Sequence, residues 1–516
     1  MEVKSAELIK EQDKNSEVVI GLVGAIGTNL DQLKVTIKEM LTAYSYDVME
    51  IRISSDIINK LKEIESSAGN YKKINDLMSA GNELRKKSKN NAILSMAASA
   101  LISSHREKED SGLPKPKRRK AYIIHSLKHP DEVNLLREIY TNGFYLIGVY
   151  SDEDRRKEFL VNHKSISKEE AEKLIKRDAH EGDDWGQHTR DTYELSDFFI
   201  SSGSNYDKVT NHLWRFFDLI FGKPNLTPTF DEYAMSMAYS ASLRSADLSR
   251  QVGAVLTKNR MILTTGANDI PTFGGGLYWP ETINDKIQDI EGGRDYTIGY
   301  DSNVEEKQNI MNDIIDKFNK NIDEAENTKI QEHKKIISDL VLKALHDSKI
   351  KDITEYGRVV HAEMEAILSC ARSEINTYQT TLYCTTFPCH NCAKHIVASG
   401  IKKVFYIEPY PKSKAFLFHK DSIESSENSK KSRDIKKVVF EPFVGVGPRC
   451  FFNLFSINLG TGYKVVRKEK DGRVVKWDRK NGRLRIQMLP SSYIEKELKA
   501  ADTLNTIIKE NLNVKK

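Results

Sequence analysis

Five cysteines are spread over 516 residues, and three of them, Cys384, Cys389 and Cys392, fall inside the stretch CTTFPCHNC at 384–392. Upstream stands a His361-Ala362-Glu363 triplet. Thiolate and imidazole are ligands that Zn2+ prefers, and a catalytic zinc site takes three protein ligands and leaves its fourth position to water. Cys389 and Cys392, at i and i+3, can face one side of the first turn of a helix, where Pro388 is favoured as a starter. The positive end of the helix dipole there lowers thiol pKa values and favours the thiolates that bind metal. His361 completes two thiolates and one imidazole, a set that leaves the site formally neutral.

Glu363 stands two residues beyond the histidine and is expected to move protons rather than bind metal. H-x-E followed by P-C-x-x-C is the signature of zinc nucleobase deaminases, in which an activated water attacks C4 of cytosine or C6 of adenine and the glutamate serves as acid and base. A structural zinc site would need a fourth protein ligand, and only Cys384 is near. A redox Cys-x-x-Cys pair would leave the His-x-Glu unexplained. Cys384, Cys370 and Cys450 read as small buried residues.

The surrounding pattern supplies the strand and helix ends that such a site requires. TLYCTT (381–386) is a strand leading into the PCHNC helix, KKVFYIE (402–408) is the next strand, and the HAE triplet opens a helix. QVGAVLTK and RMILTTGAN form a strand pair after the helix DEYAMSMAYSASLRSA. Between them and the HAE helix lies an insertion, 272–356, with two helices; one carries Met311, Ile314, Ile315, Phe318 and Ile322 on one face, the other Ile337, Leu340, Val341, Ala344 and Leu345.

The first half alternates apolar strands with helices: EVVIGLVG, KAYIIHSL, FYLIGVY and SDFFISS against LDQLKVTIKEML, HPDEVNLLREIY and YDKVTNHLWRFFDLIF. That alternation implies a mostly parallel sheet covered on both faces. Pro and Gly cluster at GKPNLTP (222–228), which marks a boundary. The expected organisation is α/β throughout: a domain over 1–222, a zinc-bearing domain over 223–455, and a polar, lysine-rich extension over 456–516 with one helix near 492–510. Two charged stretches, 105–120 and 422–434, read as loops. The basic run Lys117 to Lys120 is either a phosphate contact or a solvated loop.

A net charge of +5 is small for this length and does not advertise a nucleic-acid surface, and 39% hydrophobic residues suffice for globular domains. The apolar runs 18–27 and 91–102 are too short to span a bilayer, and the polar N-terminus lacks a signal-peptide core. Few cysteines, odd in number, argue for a reducing compartment; the expectation is a cytoplasmic protein without a membrane partner.

TLYCTTFPCHNCAKHIVASGIKKVFY, with RQVGAVLT (250–257) and GANDIP (266–271), closely resembles the zinc-motif region of deoxycytidylate (dCMP) deaminases. The resemblance implies a cytidine-deaminase-like α/β/α domain, Zn2+ on His361, Cys389 and Cys392, Glu363 as proton carrier, and Asn268 and Ala362 against the nucleotide. Nucleoside-acting relatives usually carry Cys where this chain has His361. The whole chain resembles a bacterial group of anti-phage deoxycytidylate deaminases that fuse an N-terminal P-loop kinase-like domain to the deaminase; GLVGAIGTN, GQHTRDTYELSDFFI, YGRVVHAEM, EPYPKSKA and FEPFVGVGPR carry that likeness. It implies depletion of dCTP and dCMP during infection, a homo-oligomer such as a hexamer, and for some members an inhibitory small RNA. A housekeeping dCMP deaminase, a tRNA adenosine deaminase and a nucleotide or RNA sensor on a deaminase frame are the rival readings.

One departure matters. A working phosphate loop reads G-x-x-x-x-G-K-[ST], but aligned on Gly24 this chain has Asn29, Leu30 and Asp31 at the last three positions. Backbone N–H groups at Gly24, Gly27 and Thr28 still offer a nucleotide cradle. Without the lysine and hydroxyl, phosphoryl transfer is not expected. The domain then reads either as a nucleotide sensor or as a structural turn.

Overall fold

The computed structural model describes residues 15–62, 69–106, 114–179, 185–203, 205–324, 331, 333–409, 413–426, 437–458, 465–488 and 490–512. Parts of the two charged stretches, 107–113 and 427–436, lie outside the described residues, as do 410–412 of EPYPKSKA. The chain forms two compact units: Met1–Tyr233 together with Pro442–Lys516, and Ala234–Glu441.

In the first unit the strands β1 (Val18–Gly24), β2 (Asp47–Arg52), β3 (Lys120–His125), β4 (Phe144–Tyr150) and β5 (Phe198–Ser201) are parallel, in the spatial order β5-β4-β1-β3-β2. Every residue of β1 is buried, as expected for a central parallel strand. The helices Leu30–Ala43 and Tyr206–Ile220 turn their apolar faces onto this sheet, with Leu33, Ile37, Leu213 and Phe216 in one core. Because β1 and β2 are separated by β3, the crossovers reverse beside β1 and leave a crevice beyond the carboxyl ends of the strands.

The C-terminal segment belongs to this unit, which corrects the expected division at 223 and 456. A short strand, Gly445–Val446, adds antiparallel to β5, and Val446 N–H donates to the Glu232 carboxylate at 3.0 Å, which also takes Arg215 at 2.7 Å. The helix Pro490–Ile507 packs on Ile93–Ser104. Its Glu497 meets Arg106, whose guanidinium also donates to Glu17 at 2.9 Å, while the Tyr122 and Tyr493 hydroxyls donate to Glu17 at 2.9 and 2.6 Å. All three charged groups are buried. Arg106→Met is therefore expected to strand two buried carboxylates and to destabilise this unit by about 3–5 kcal/mol. Chemical denaturation of the full chain measures it; a loss under about 1 kcal/mol would show that the cluster holds nothing together.

In the second unit, β6 (Gly253–Lys258) and β7 (Met261–Ala267) pair antiparallel, as do β8 (Glu281–Ile283) and β9 (Lys286–Gln288). The strands β10 (Thr381–Thr386), β11 (Lys403–Glu408), β12 (Ile423–Ser425) and β13 (Val438–Pro442) complete a six-stranded sheet in the order β12-β13-β11-β10-β6-β7. The helices Ala362–Arg372 and His390–Ala398 bury Ala362, Ala366, Cys370, Cys392 and Ile396 in its core. The insertion forms the expected helices, Ser302–Asp323 and Lys334–Asp347, packed on each other. Their apolar faces are only half-buried: Met311 and Ile322 of the first are buried, and Leu340 of the second is 62% exposed. Among the described residues the two helices cover each other only in part. Among the described residues no helix is long and apolar enough to cross a membrane.

Candidate metal centre and active site

The ligands sit at two helix starts. His361 is the N-cap of Ala362–Arg372, and Cys389 is the N-cap of His390–Ala398, its Sγ accepting the Cys392 N–H at 3.4 Å. Pro388 thus precedes the cap instead of opening the helix, because the Cys389 sulfur takes the capping role that an oxygen usually fills. The strand β10 delivers this second helix, and its parallel neighbour β11 fixes the register through Cys384 opposite Tyr406.

The first helix is set by close approach to β7. At Gly266 a Cβ would lie 2.1 Å from the Ala362 carbonyl oxygen and 2.5 Å from the Ala366 nitrogen, so the helix backbone rests directly on the glycine. The sequence offered no signal for this contact beyond the glycine itself, in the GANDIP motif.

His361 Nδ1 lies 3.3 Å from Cys392 Sγ and 3.4 Å from Cys389 Sγ, and the three ligand atoms are within 4.8 Å of one another. One imidazole nitrogen and two sulfurs at this spacing fit Zn2+. Cys384, fully buried on β10, is outside the cluster, so a protein-only four-ligand structural site has no support from it. Hydrogen bonds from Cys392 and His361 push the Cys389 thiol down to about 4, and the Cys389 sulfur pushes His361 up to about 9. Cys392 is held well above the ordinary thiol range by Cys389 and by burial. Metal must therefore displace protons from His361 and Cys392.

Glu363, only 5% exposed in the first turn of its helix, is not part of the ligand cluster. Burial raises its carboxyl pKa, so it can hold a proton where a free glutamate would not. Cys389→Ala is expected to lose bound zinc, whereas Cys384→Ala keeps it; elemental analysis of the purified variants reads the difference, and a fully loaded Cys389→Ala would overturn the ligand assignment.

Asn268 is buried beside this region and committed to the backbone: its Oδ1 accepts from Val252 N–H at 2.6 Å and its Nδ2 donates to Arg250 O at 2.8 Å. It shapes the entry to β6. Ala362 is fully buried with its carbonyl against Gly266.

In the first unit, the turn after β1 is satisfied from within. Ile26 N–H donates to the Asp178 carboxylate at 2.7 Å, Thr28 N–H donates to Ala25 O at 3.0 Å, and Lys128 bridges Gly24 O and Asp178 at 2.8 Å each. Gly27 has a φ of +85°, and a Cβ there would meet Arg156 O at 2.6 Å. The Asp178 carboxylate thus occupies the Ile26 N–H, and the Thr28 N–H is taken by the turn itself. In the basic run, Arg119 donates to Tyr44 O at 2.8 Å and Lys120 pairs with Asp47, so these two side chains are engaged within the unit.

Residues 291–408 match the family described as the cytidine and deoxycytidylate deaminase zinc-binding region. The deoxycytidylate deaminase of Enterobacteria phage T2 is 32% identical over 186 residues, covering 35% of this chain and 80% of that protein. That of Enterobacteria phage T4 is 31% identical over 186 residues, covering 35% and 78%. The deoxycytidylate deaminase of Mycobacterium phage D29 is 26% identical over 180 residues, covering 35% and 94%.

Proposed function

Because the chain belongs to the deoxycytidylate deaminase family, we propose that it hydrolyses deoxycytidine nucleotides, dCMP and dCTP, to the corresponding deoxyuridine nucleotides and ammonia. The observation that carries this is the His361, Cys389 and Cys392 cluster with the buried carboxyl of Glu363 beside it and outside the ligand set.

When bound, Zn2+ supplies the Lewis acidity that makes water a nucleophile at neutral pH. The chain's own part is proton movement and exclusion of bulk water. The Glu363 carboxyl takes a proton from the attacking water and passes it to the ring nitrogen N3, then takes the proton of the hydroxyl formed at C4 and gives it to the departing amine, so that one water is consumed and one ammonia released. Burial, with the Cys389 sulfur nearby, raises the carboxyl above the ordinary glutamate range, so it holds a proton more readily than a free glutamate.

Depletion of dC nucleotides in anti-phage defence is the role that the sequence resemblance supports, with a homo-oligomer as the working form and a regulatory nucleotide on the first unit. The test is a chromatographic panel. Wild-type protein is incubated with dCMP, dCTP, CMP, CTP and deoxycytidine, with and without added dTTP. Conversion of dCMP and dCTP alone is expected; activity confined to CMP or deoxycytidine would sink the proposal, and activity confined to dCMP would favour dUMP supply over dCTP depletion.

A further inference from the structure

The first unit contains a cavity of about 500 Å3 at the carboxyl ends of β1, β2 and β3, walled by apolar side chains that include Ile53, Ile58, Leu77, Met78 and Leu94. This is the crevice where doubly wound sheets take their ligands, and its volume suits a small molecule. Arg85 Nε, Thr28 Oγ1 and His125 Nε2, among its lining residues, have no hydrogen-bond partner among the described residues. The residues are 2%, 9% and 4% exposed, and buried polar atoms are rarely left without partners. The nearest acid to His125, Asp31, is 3.8 Å away, too far for a hydrogen bond. Burial pushes His125 down to about 4, so its ring is neutral at pH 7 and offers a hydrogen bond instead of a charge.

Charge is present in the same lining. Arg52, Lys73 and Lys164 contribute cations, and Lys73 is exposed with no ion-pair partner among the described residues. The turn at Ile26 is already held by Asp178, so a chain of phosphates reaching onto it would meet a carboxylate. A ligand with one anionic group and an uncharged ring fits this division better than a triphosphate.

We infer that the first unit binds a nucleoside monophosphate in this cavity, with the base among the apolar walls in reach of Arg85, Thr28 and His125 and the phosphate toward Lys73. This deepens the nucleotide-sensing reading of that unit and moves the anchor from the glycine turn to the cavity beside it. The deamination chemistry does not enter it.

Calorimetric titration of the full-length, zinc-loaded Glu363→Gln protein with dCMP, dTMP, dAMP and inorganic phosphate tests this. Binding of at least one nucleotide at a site additional to the deaminase site is expected. Leu77→Trp, which fills the cavity, and Lys73→Glu, an exposed change that spares the fold, should each weaken that additional site by about tenfold or more. An additional site that neither substitution weakens would overturn the cavity assignment and leave nucleotide sensing standing elsewhere in the unit. No additional site for any nucleotide would overturn both. Phosphate bound as tightly as the nucleotides would remove base recognition from the proposal.

Discussion

Glu363→Gln is expected to abolish turnover while leaving zinc bound. Glutamine has nearly the same shape, so the buried position stays filled and no metal ligand is lost. What disappears is a group able to accept and then return a proton, and both proton transfers of the reaction use it. General acid–base catalysis is worth about 10²–10⁴-fold for one transfer, so a fall in kcat of at least about 10³-fold is the expected size. Timed dCMP conversion by chromatography gives the rate, and elemental analysis gives the metal content of the same sample. A variant that stays within tenfold of wild type would show that another group carries the proton. Loss of zinc together with activity would show instead that Glu363 holds the site together.

Gly266→Ala is expected to do comparable damage by purely steric means. The added methyl would sit 2.1 Å from the Ala362 carbonyl oxygen and 2.5 Å from the Ala366 nitrogen, both helix backbone atoms that cannot rotate away. The helix Ala362–Arg372 must lift off β7 and carry His361 and Glu363 with it, while Cys389 and Cys392 stay on the helix that follows β10. Overpacking of this kind costs about 1–3 kcal/mol, and a shift of about 1 Å in a reacting group costs on the order of 10²-fold in rate. Weaker zinc retention under dialysis, a lower Tm and a kcat/KM reduced by about 10²-fold should appear together. Gly357→Ala is the control, because a Cβ there meets nothing closer than 3.7 Å. If Gly266→Ala matched that control in zinc content and rate, the helix would not be positioned by this contact.

The metal cluster was legible in the sequence because its chemistry is local: three ligands at the starts of two helices, with the carboxyl two residues from the histidine. The central strands were legible for a similar reason, since burial on both faces writes a continuous apolar run, as in VVIGLVG. β2 was missed because DVMEIR lies at the sheet edge, carries two acids and buries only Ile51 fully. The helices Asn70–Ser88 and Glu153–Lys164 are mostly charged and polar, so their core-facing stripes are thin. Asp178 under the glycine turn, Gly266 under the catalytic helix and Glu497 against Arg106 had no local signal. Each depends on a partner far away in the chain, and a glycine or an acid reads the same whether or not that partner is there.

The return of the C-terminal segment to the first unit has a consequence for how the chain is made. A ribosome delivers β1 to β5 first, then the whole of Ala234–Glu441, and only afterwards the strand Gly445–Val446 and the helix that carries Glu497. At about 5–20 residues per second that interval is on the order of tens of seconds. Throughout it the edge of β5 has no antiparallel neighbour and Arg106 lacks one of its two acids. The deaminase unit, contiguous in sequence, can meanwhile fold as it emerges, so the guest is finished before its host. A chain interrupted before Gly445 would carry a complete zinc pocket together with a β5 edge still open to pairing with another chain, and its Arg106 would lack Glu497.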